Sequence, residues 1–184
     1  MKKVLAIVAV LAACVASSAP AFAARHKPSH FLDKETTVDL SGMKRIFIGW
    51  VDMHEDDWSA QGYTTRQEWA DTIATLNAGF VSDLMQNDLP NRTLVPAKNK
   101  DDEDAKGCDL YVKFTDVKVD YDNYTLTLAI HFIDPKSGQE IGLIGAHPYS
   151  GSTKGPRGSF AVALQQVGQK LHVEIAGTSP VAGQ

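Results

Sequence analysis

The segment Thr125-Leu126-Thr127-Leu128-Ala129-Ile130-His131-Phe132-Ile133-Asp134-Pro135-Lys136-Ser137-Gly138-Gln139-Glu140-Ile141 decides the fold. Leu126, Leu128, Ile130 and Phe132 alternate with Thr125, Thr127 and His131, the period of two that marks a strand with one buried face. Asp134 to Gly138 is a turn, because proline presets its φ and glycine accepts a positive one. Gln139 to Ala146 then returns as an antiparallel partner. Immediately upstream, Leu110, Val112 and Phe114 alternate with Tyr111, Lys113 and Thr115. Val117, Val119 and Tyr121 follow in the opposite parity. A one-residue slip turns every later side chain to the other face, so a bulge is expected near Thr115–Asp116. Asp122-Asn123 makes the turn between these two strands.

Further out, Arg45-Ile46-Phe47-Ile48-Gly49-Trp50-Val51 is a continuous apolar run, which fits a strand covered on both faces. Thr65-Arg66-Gln67-Glu68 is a capping box that opens a helix. Trp69, Ile73, Leu76, Phe80 and Leu84 recur at helical spacing, and Val81 and Met85 widen that stripe. The helix is expected to end near Gln86–Leu89, before Pro90. Arg92 to Val95 is a short strand. His147 to Gly158 reads as a Gly-rich connection. Phe160, Leu164, Val167, Leu171 and Ile175 form the face of a last helix, with Gly168 weakening it and Gly177 as a cap. The expected fold is α/β (or α+β). It is a single layered domain, with a mixed sheet of about five strands that carries two amphipathic helices. The domain spans 44–177, preceded by an extension at 24–43 and followed by a frayed tail at 178–184.

The chain begins with an export pattern. Lys2 and Lys3 precede an apolar core from Val4 to Val15, and Ala21-Phe22-Ala23 is an A-x-A cleavage site. Residues 1–23 read as a signal peptide, and the expected location is periplasmic or secreted. Leu11-Ala12-Ala13-Cys14 offers a competing cut, in which a lipidated Cys14 anchors the protein at a membrane. The whole chain has 184 residues, 43% of them hydrophobic and 22% charged, with a formal charge of −4. That composition excludes a disordered chain, and two cysteines exclude a disulfide-rich miniprotein. Removing the signal takes two lysines and no acids, which leaves 161 residues at −6. An acidic balance argues against sequence-independent nucleic-acid binding. No apolar run reaches the length of a transmembrane span. Only Cys108 remains after cleavage, a small buried apolar residue at a strand start.

Chemistry-bearing residues are sparse. Asp52, His54, Asp56 and Asp57 follow the first strand, where open α/β sheets gather ligands. With His131 as a further ligand they suit a divalent metal or acid–base work, although the spacing matches no defined motif. Lys154 and Arg157 lie in the Gly-rich loop that precedes the last helix and suit an anion. Asp101 to Asp104 are contiguous acids that cannot all face one calcium ion and read as a solvated loop. A pocket near Trp50, Trp58 and the Gly-rich loop suits a small ligand. No Walker A loop, G-x-S-x-G elbow or other catalytic motif is present. No cofactor is expected, apart from the metal alternative.

Asp109-Leu110-Tyr111-Val112-Lys113-Phe114, Thr125 to Asp134 and Pro135-Lys136-Ser137-Gly138-Gln139-Glu140-Ile141, together with the element order, resemble a group of bacterial envelope domains. That group includes the periplasmic domain of the curli secretion channel subunit and the TolB amino-terminal domain. The resemblance covers Lys44 to Ala176. It implies a non-catalytic domain that acts in envelope assembly, scaffolding or protein binding, with an envelope protein as partner. The strands that would add a pore are lacking, and no site residue carries over. The sequence thus points to an exported binding or scaffold domain. The alternative is a metal-binding protein, or a metal-dependent hydrolase, built on the acidic loop.

Overall fold

A computed structural model describes residues 38–54, 59, 62–151 and 156–176. Its elements run β1 (Arg45–Ile48), α1 (Arg66–Asp83), a π-helical turn (Leu84–Asp88), β2 (Thr93–Pro96), β3 (Leu110–Asp120), β4 (Thr125–Ile133), β5 (Glu140–Ser150) and α2 (Pro156–Ala176). The strands form one mixed sheet in the order β2-β1-β3-β4-β5. β1 is parallel to both β2 and β3, while β3, β4 and β5 are successively antiparallel. This is an α/β fold in a single domain.

The apolar run of β1 is buried on both sides. Ile46 and Ile48 enter the main core with the two helices, whereas Phe47 enters a smaller cluster with Ala97, Ala105, Cys108 and Tyr111. Phe47 and Tyr111 meet edge to face at 5.2 Å. The loop between β2 and β3 thus covers the second face of β1, and Cys108 is the small buried residue expected. The acids of that loop stay at its surface and cap its own backbone. Asp102 accepts from the N–H groups of Lys98 and Asp104 at 2.9 and 3.3 Å, and Glu103 pairs with Lys113 at 2.6 Å.

Helix α1 starts at the capping box. Thr65 Oγ1 accepts from the Glu68 N–H at 3.1 Å, and Glu68 Oε2 accepts from the Thr65 N–H at 3.2 Å. Its apolar stripe of Trp69, Ile73, Leu76, Phe80 and Leu84 is buried throughout. One polar residue shares that face. Asn77 is 5% exposed. Its Oδ1 accepts from the Val51 N–H at 2.8 Å, and its Nδ2 donates to the Val51 carbonyl at 3.1 Å. The amide satisfies both backbone groups of a residue just past the end of β1, where no strand neighbour does so.

Three expectations change in the tertiary structure. Met85 does not extend the buried stripe and is 42% exposed. Gly168, expected to weaken α2, also lies against the end of α1, since a Cβ there would be 2.7 Å from Asp88 Oδ2 and 3.2 Å from Leu84 Cδ2 and those side chains would have to shift. β5 continues through His147-Pro148-Tyr149 to Ser150, beyond the expected end at Ala146. Pro148 is tolerated because β5 is an edge strand. Leu40, assigned to the extension, is 1% exposed and belongs to the core. Arg92 Nη2 holds this stretch by donating to the Ser41 carbonyl at 2.6 Å. The expected bulge is present. Pairing of β3 with β4 shifts between Thr115 and Lys118, and Asp116 adopts φ 52°. The expected cap Gly177 and the tail lie outside the described residues.

Both sheet edges are blunted. β2 is four residues long and ends in Pro96, and the pairing of β5 is broken by register shifts at two places. At the amino-terminal ends of β1 and β3, Asp109 accepts from the Lys44 and Arg45 N–H groups at 3.1 and 2.9 Å. The Arg45 bond, followed by the Lys44 bond, holds the Asp109 carboxyl below its usual range.

Two predictions follow from these contacts. Asn77→Ala, which strands the Val51 backbone groups, is expected to cost about 2 kcal/mol in urea unfolding. An unchanged midpoint in Asn77→Ala would contradict this packing. The Asp109 shift has a definite sign: a depressed carboxyl stabilises the fold above its unfolded value of about 3.9, and that contribution disappears as pH falls through the folded value. Urea midpoints measured from pH 6 down to pH 2 should therefore fall less steeply in Asp109→Asn than in the parent.

Candidate functional site

The acidic loop begins past the carboxyl end of β1. Gly49 donates its N–H to the Val112 carbonyl at 2.8 Å, and Trp50 follows, half-buried between the two apolar clusters. Asp52 is half-exposed, and its Oδ1 accepts from the His54 N–H at 3.2 Å. A shallow depression of about 230 Å³ opens here, lined in part by Trp50, Asp52, Lys100, Asp101 and Tyr111. Desolvation, then the charges of Glu103 and Asp102, pushes the Tyr111 phenol up to about 12. It is therefore a neutral donor at ordinary pH.

His54 has a structural task. It sits at φ 54°, its Nε2 donates to the Val117 carbonyl at 2.8 Å, and its own carbonyl accepts from Trp69 Nε1 at 3.1 Å. The loop is thereby tied to the bulged part of β3 and to the first turn of α1. A carbonyl only accepts, so His54 Nε2 carries a proton and has no lone pair for a metal. Asp56 and Asp57 lie outside the described residues, as do Trp58, Lys154 and Cys14. Arg157 is exposed in the first turn of α2. Among the described residues, no three of His, Cys, Asp and Glu come together in a way that could hold a metal ion. The described members of the acidic-loop set, Asp52, His54 and His131, therefore do not form a three-ligand centre.

His131 belongs to a different place. α1 and α2 pack on the face of the sheet formed by Leu126, Leu128, Ile130 and Phe132. His131 points the other way, beside Lys113 on β3 and Leu143 on β5. It is 22% exposed at its side chain. Its Nε2 lies 2.7 Å from Thr115 Oγ1, and its Nδ1 is hydrogen-bonded to Glu140 Oε2. The carboxylate only accepts, so Nδ1 carries the proton. In the neutral ring Nε2 is then an acceptor, and the Thr115 hydroxyl donates to it. The same hydroxyl is within donating distance of Asp116 Oδ2 at 3.3 Å, a longer contact that competes with His131 for its one proton. The result is a chain of three polar side chains, one from each of β3, β4 and β5. Thr115 and Glu140 were not singled out in the sequence. Glu140 was within reach of it, because the Asp134–Gly138 turn places residues near 140 opposite those near 131. Thr115 was not, because the bulge beside it hides the register.

The other depression on this face is broad, about 820 Å³, and mixed in charge. Lys106, Lys113 and Lys136 line it alongside Glu103, Asp104 and Asp109. No helix among the described residues is long and apolar enough to cross a membrane.

No protein-family model matches the chain, and no curated protein matches it. Among solved structures, a PelC dodecamer from Paraburkholderia phytofirmans is similar over 79% of this chain and 96% of that chain, at 10% identity and a TM-score of 0.38.

The hydrogen bonds fix both ring tautomers. In two-dimensional proton–nitrogen spectra, at a pH where the rings are neutral, His54 is expected in the Nε2–H form and His131 in the Nδ1–H form. The reverse tautomer at either ring would contradict the arrangement described.

Proposed function

We propose that the chain is an exported bacterial cell-envelope protein, a binding or assembly domain, that presents the face of β3, β4 and β5 opposite the helices to an envelope protein. The observation that supports this reading is the one-sided placement of the helices. Both pack on the same face of the sheet, and the loop between β2 and β3 covers the other face around β1, as far as Tyr111 and Ile133. Among the described residues this leaves a broad face with half-exposed Lys113, Thr115, His131 and Leu143 and exposed Glu140, without a deep enclosed cleft. Extended faces of this kind suit a macromolecular partner, whereas small ligands favour concave apolar pockets. The amino-terminal segment supports export by its charge, apolar core and A-x-A site.

Expression of the full chain in a bacterial host, with a photo-cross-linking residue at Leu143 or, as control, at the exposed Gln67 of α1, tests the proposal. The mature protein is expected outside the cytoplasm with Ala24 as its first residue. Illumination is expected to yield a protein adduct in the envelope fraction from position 143 and none from position 67. An uncleaved cytoplasmic chain would overturn export, and a lipidated first residue at Cys14 would replace the soluble form with the anchored one. Equal labelling from both positions would overturn the assigned face.

A further inference from the structure

We propose that Thr115, His131 and Glu140 form an acyl-transfer site for carboxylic esters, with Thr115 as nucleophile, His131 as base and Glu140 as the group that orients the ring. The three side chains meet the geometric requirement for an activated hydroxyl: nucleophile and base within hydrogen-bond reach, and the base held by a third group. Thr115 Oγ1 and His131 Nε2 are 2.7 Å apart, and Glu140 Oε2 takes the hydrogen bond of Nδ1. That bond leaves the Nε2 lone pair aimed at the hydroxyl, which is the tautomer the reaction needs. Glu140 is exposed, and Thr115 and His131 are both half-exposed, so an ester can reach the hydroxyl. Thr115 precedes the bulge residue Asp116 at φ 52°, where regular pairing with β4 stops. Lys113, opposite His131 in the β3–β4 register, keeps its ammonium on the same face, where it is paired with Glu103 at 2.6 Å.

In the first half-reaction, Thr115 Oγ1 bonds to the ester carbonyl carbon while its proton passes to His131 Nε2. The bond from that carbon to the leaving oxygen then breaks, and the leaving alcohol takes the proton from Nε2. Water repeats the sequence: it gives a proton to Nε2 and bonds to the carbonyl carbon, and the carbon–Oγ1 bond breaks with return of the proton to Thr115. The products are one alcohol and one carboxylic acid. No oxidant, metal or cofactor enters the balance. A face without a deep enclosed cleft suits an unhindered acyl group such as acetyl, presented from a larger alcohol. The envelope partner of the preceding section is not required, so failure here leaves that reading untouched.

The test uses the exported protein and p-nitrophenyl acetate. The parent is expected to release nitrophenolate at least about 100-fold faster than His131→Asn, the range of a general base. Thr115→Val should match that loss, Glu140→Gln should lose at least about tenfold, and Thr115→Ser should keep turnover. Acid quenching followed by peptide mass spectrometry should place an acetyl group on Thr115 in the parent. Circular dichroism and urea midpoints establish that each variant is folded. The proposal is overturned if the folded Thr115→Val variant keeps the parent rate, or if acetyl is found on lysines only. It is equally overturned if the three substitutions lower the urea midpoint while parent and variants hydrolyse the ester alike, the signature of a cross-strand staple.

Discussion

The double hydrogen bond between Asn77 and the backbone of Val51 is the contact on which the arrangement of layers turns. β1 is short, four residues, and the last bond to a neighbouring strand is made by Gly49 to the Val112 carbonyl. The chain must still bury Val51 and Met53 in the core. A buried peptide group without a partner is costly, of the order of 1–3 kcal/mol for each unsatisfied atom. Asn77 removes that cost from the middle of α1, and in doing so it sets where α1 lies along β1. Helix and strand are then locked in register as well as in contact, which apolar packing alone does not impose, since the hydrophobic effect has no direction.

Everything else on the helix side follows from that docking. The stripe from Trp69 to Leu84 meets Ile46 and Ile48. The π-helical turn carries Asp88 against Gly168, and α2 completes the layer over β4 and β5. Because both helices occupy one face, Phe47 needs a different cover. The loop from Ala97 to Cys108 supplies it with small residues, while its acids stay in solvent and cap the backbone. The cover ends where that loop ends. The far half of the face, across β3 to β5, is left to polar side chains, and there Thr115, His131 and Glu140 find one another.

The elements themselves were largely legible. The capping box at Thr65–Glu68, the stripe of α2 and the alternation in β4 are local patterns, and each appears where its period placed it. The shift of parity after Thr115 announced the bulge. Met85 was expected on the buried stripe and is exposed. The end of β5 and the surroundings of Gly168 were not legible because each depends on residues distant in sequence: the β4 strand that keeps His147 to Ser150 extended, and the Asp88 carboxylate that lies against Gly168. The acidic loop drew attention by composition. In the structure His54 uses its Nε2 to hold the loop to β3, and the polar chain around His131 joins residues whose separate contexts looked ordinary.

The sequence by itself determined the α/β class, the extent of most elements, the turn at Asp134–Gly138 and an amino-terminal export pattern. These rest on helical and strand periods, on caps and on turn residues, all of which act within a few positions of the chain. Only the tertiary structure decided that both helices share one face, that a loop packs on the other around β1, and that His131 stands between Thr115 and Glu140. Those outcomes depend on strand order and on a register that passes through bulges. A bulge offsets which residues stand opposite each other, and that offset is set by the packing of the whole sheet rather than by any short stretch of residues.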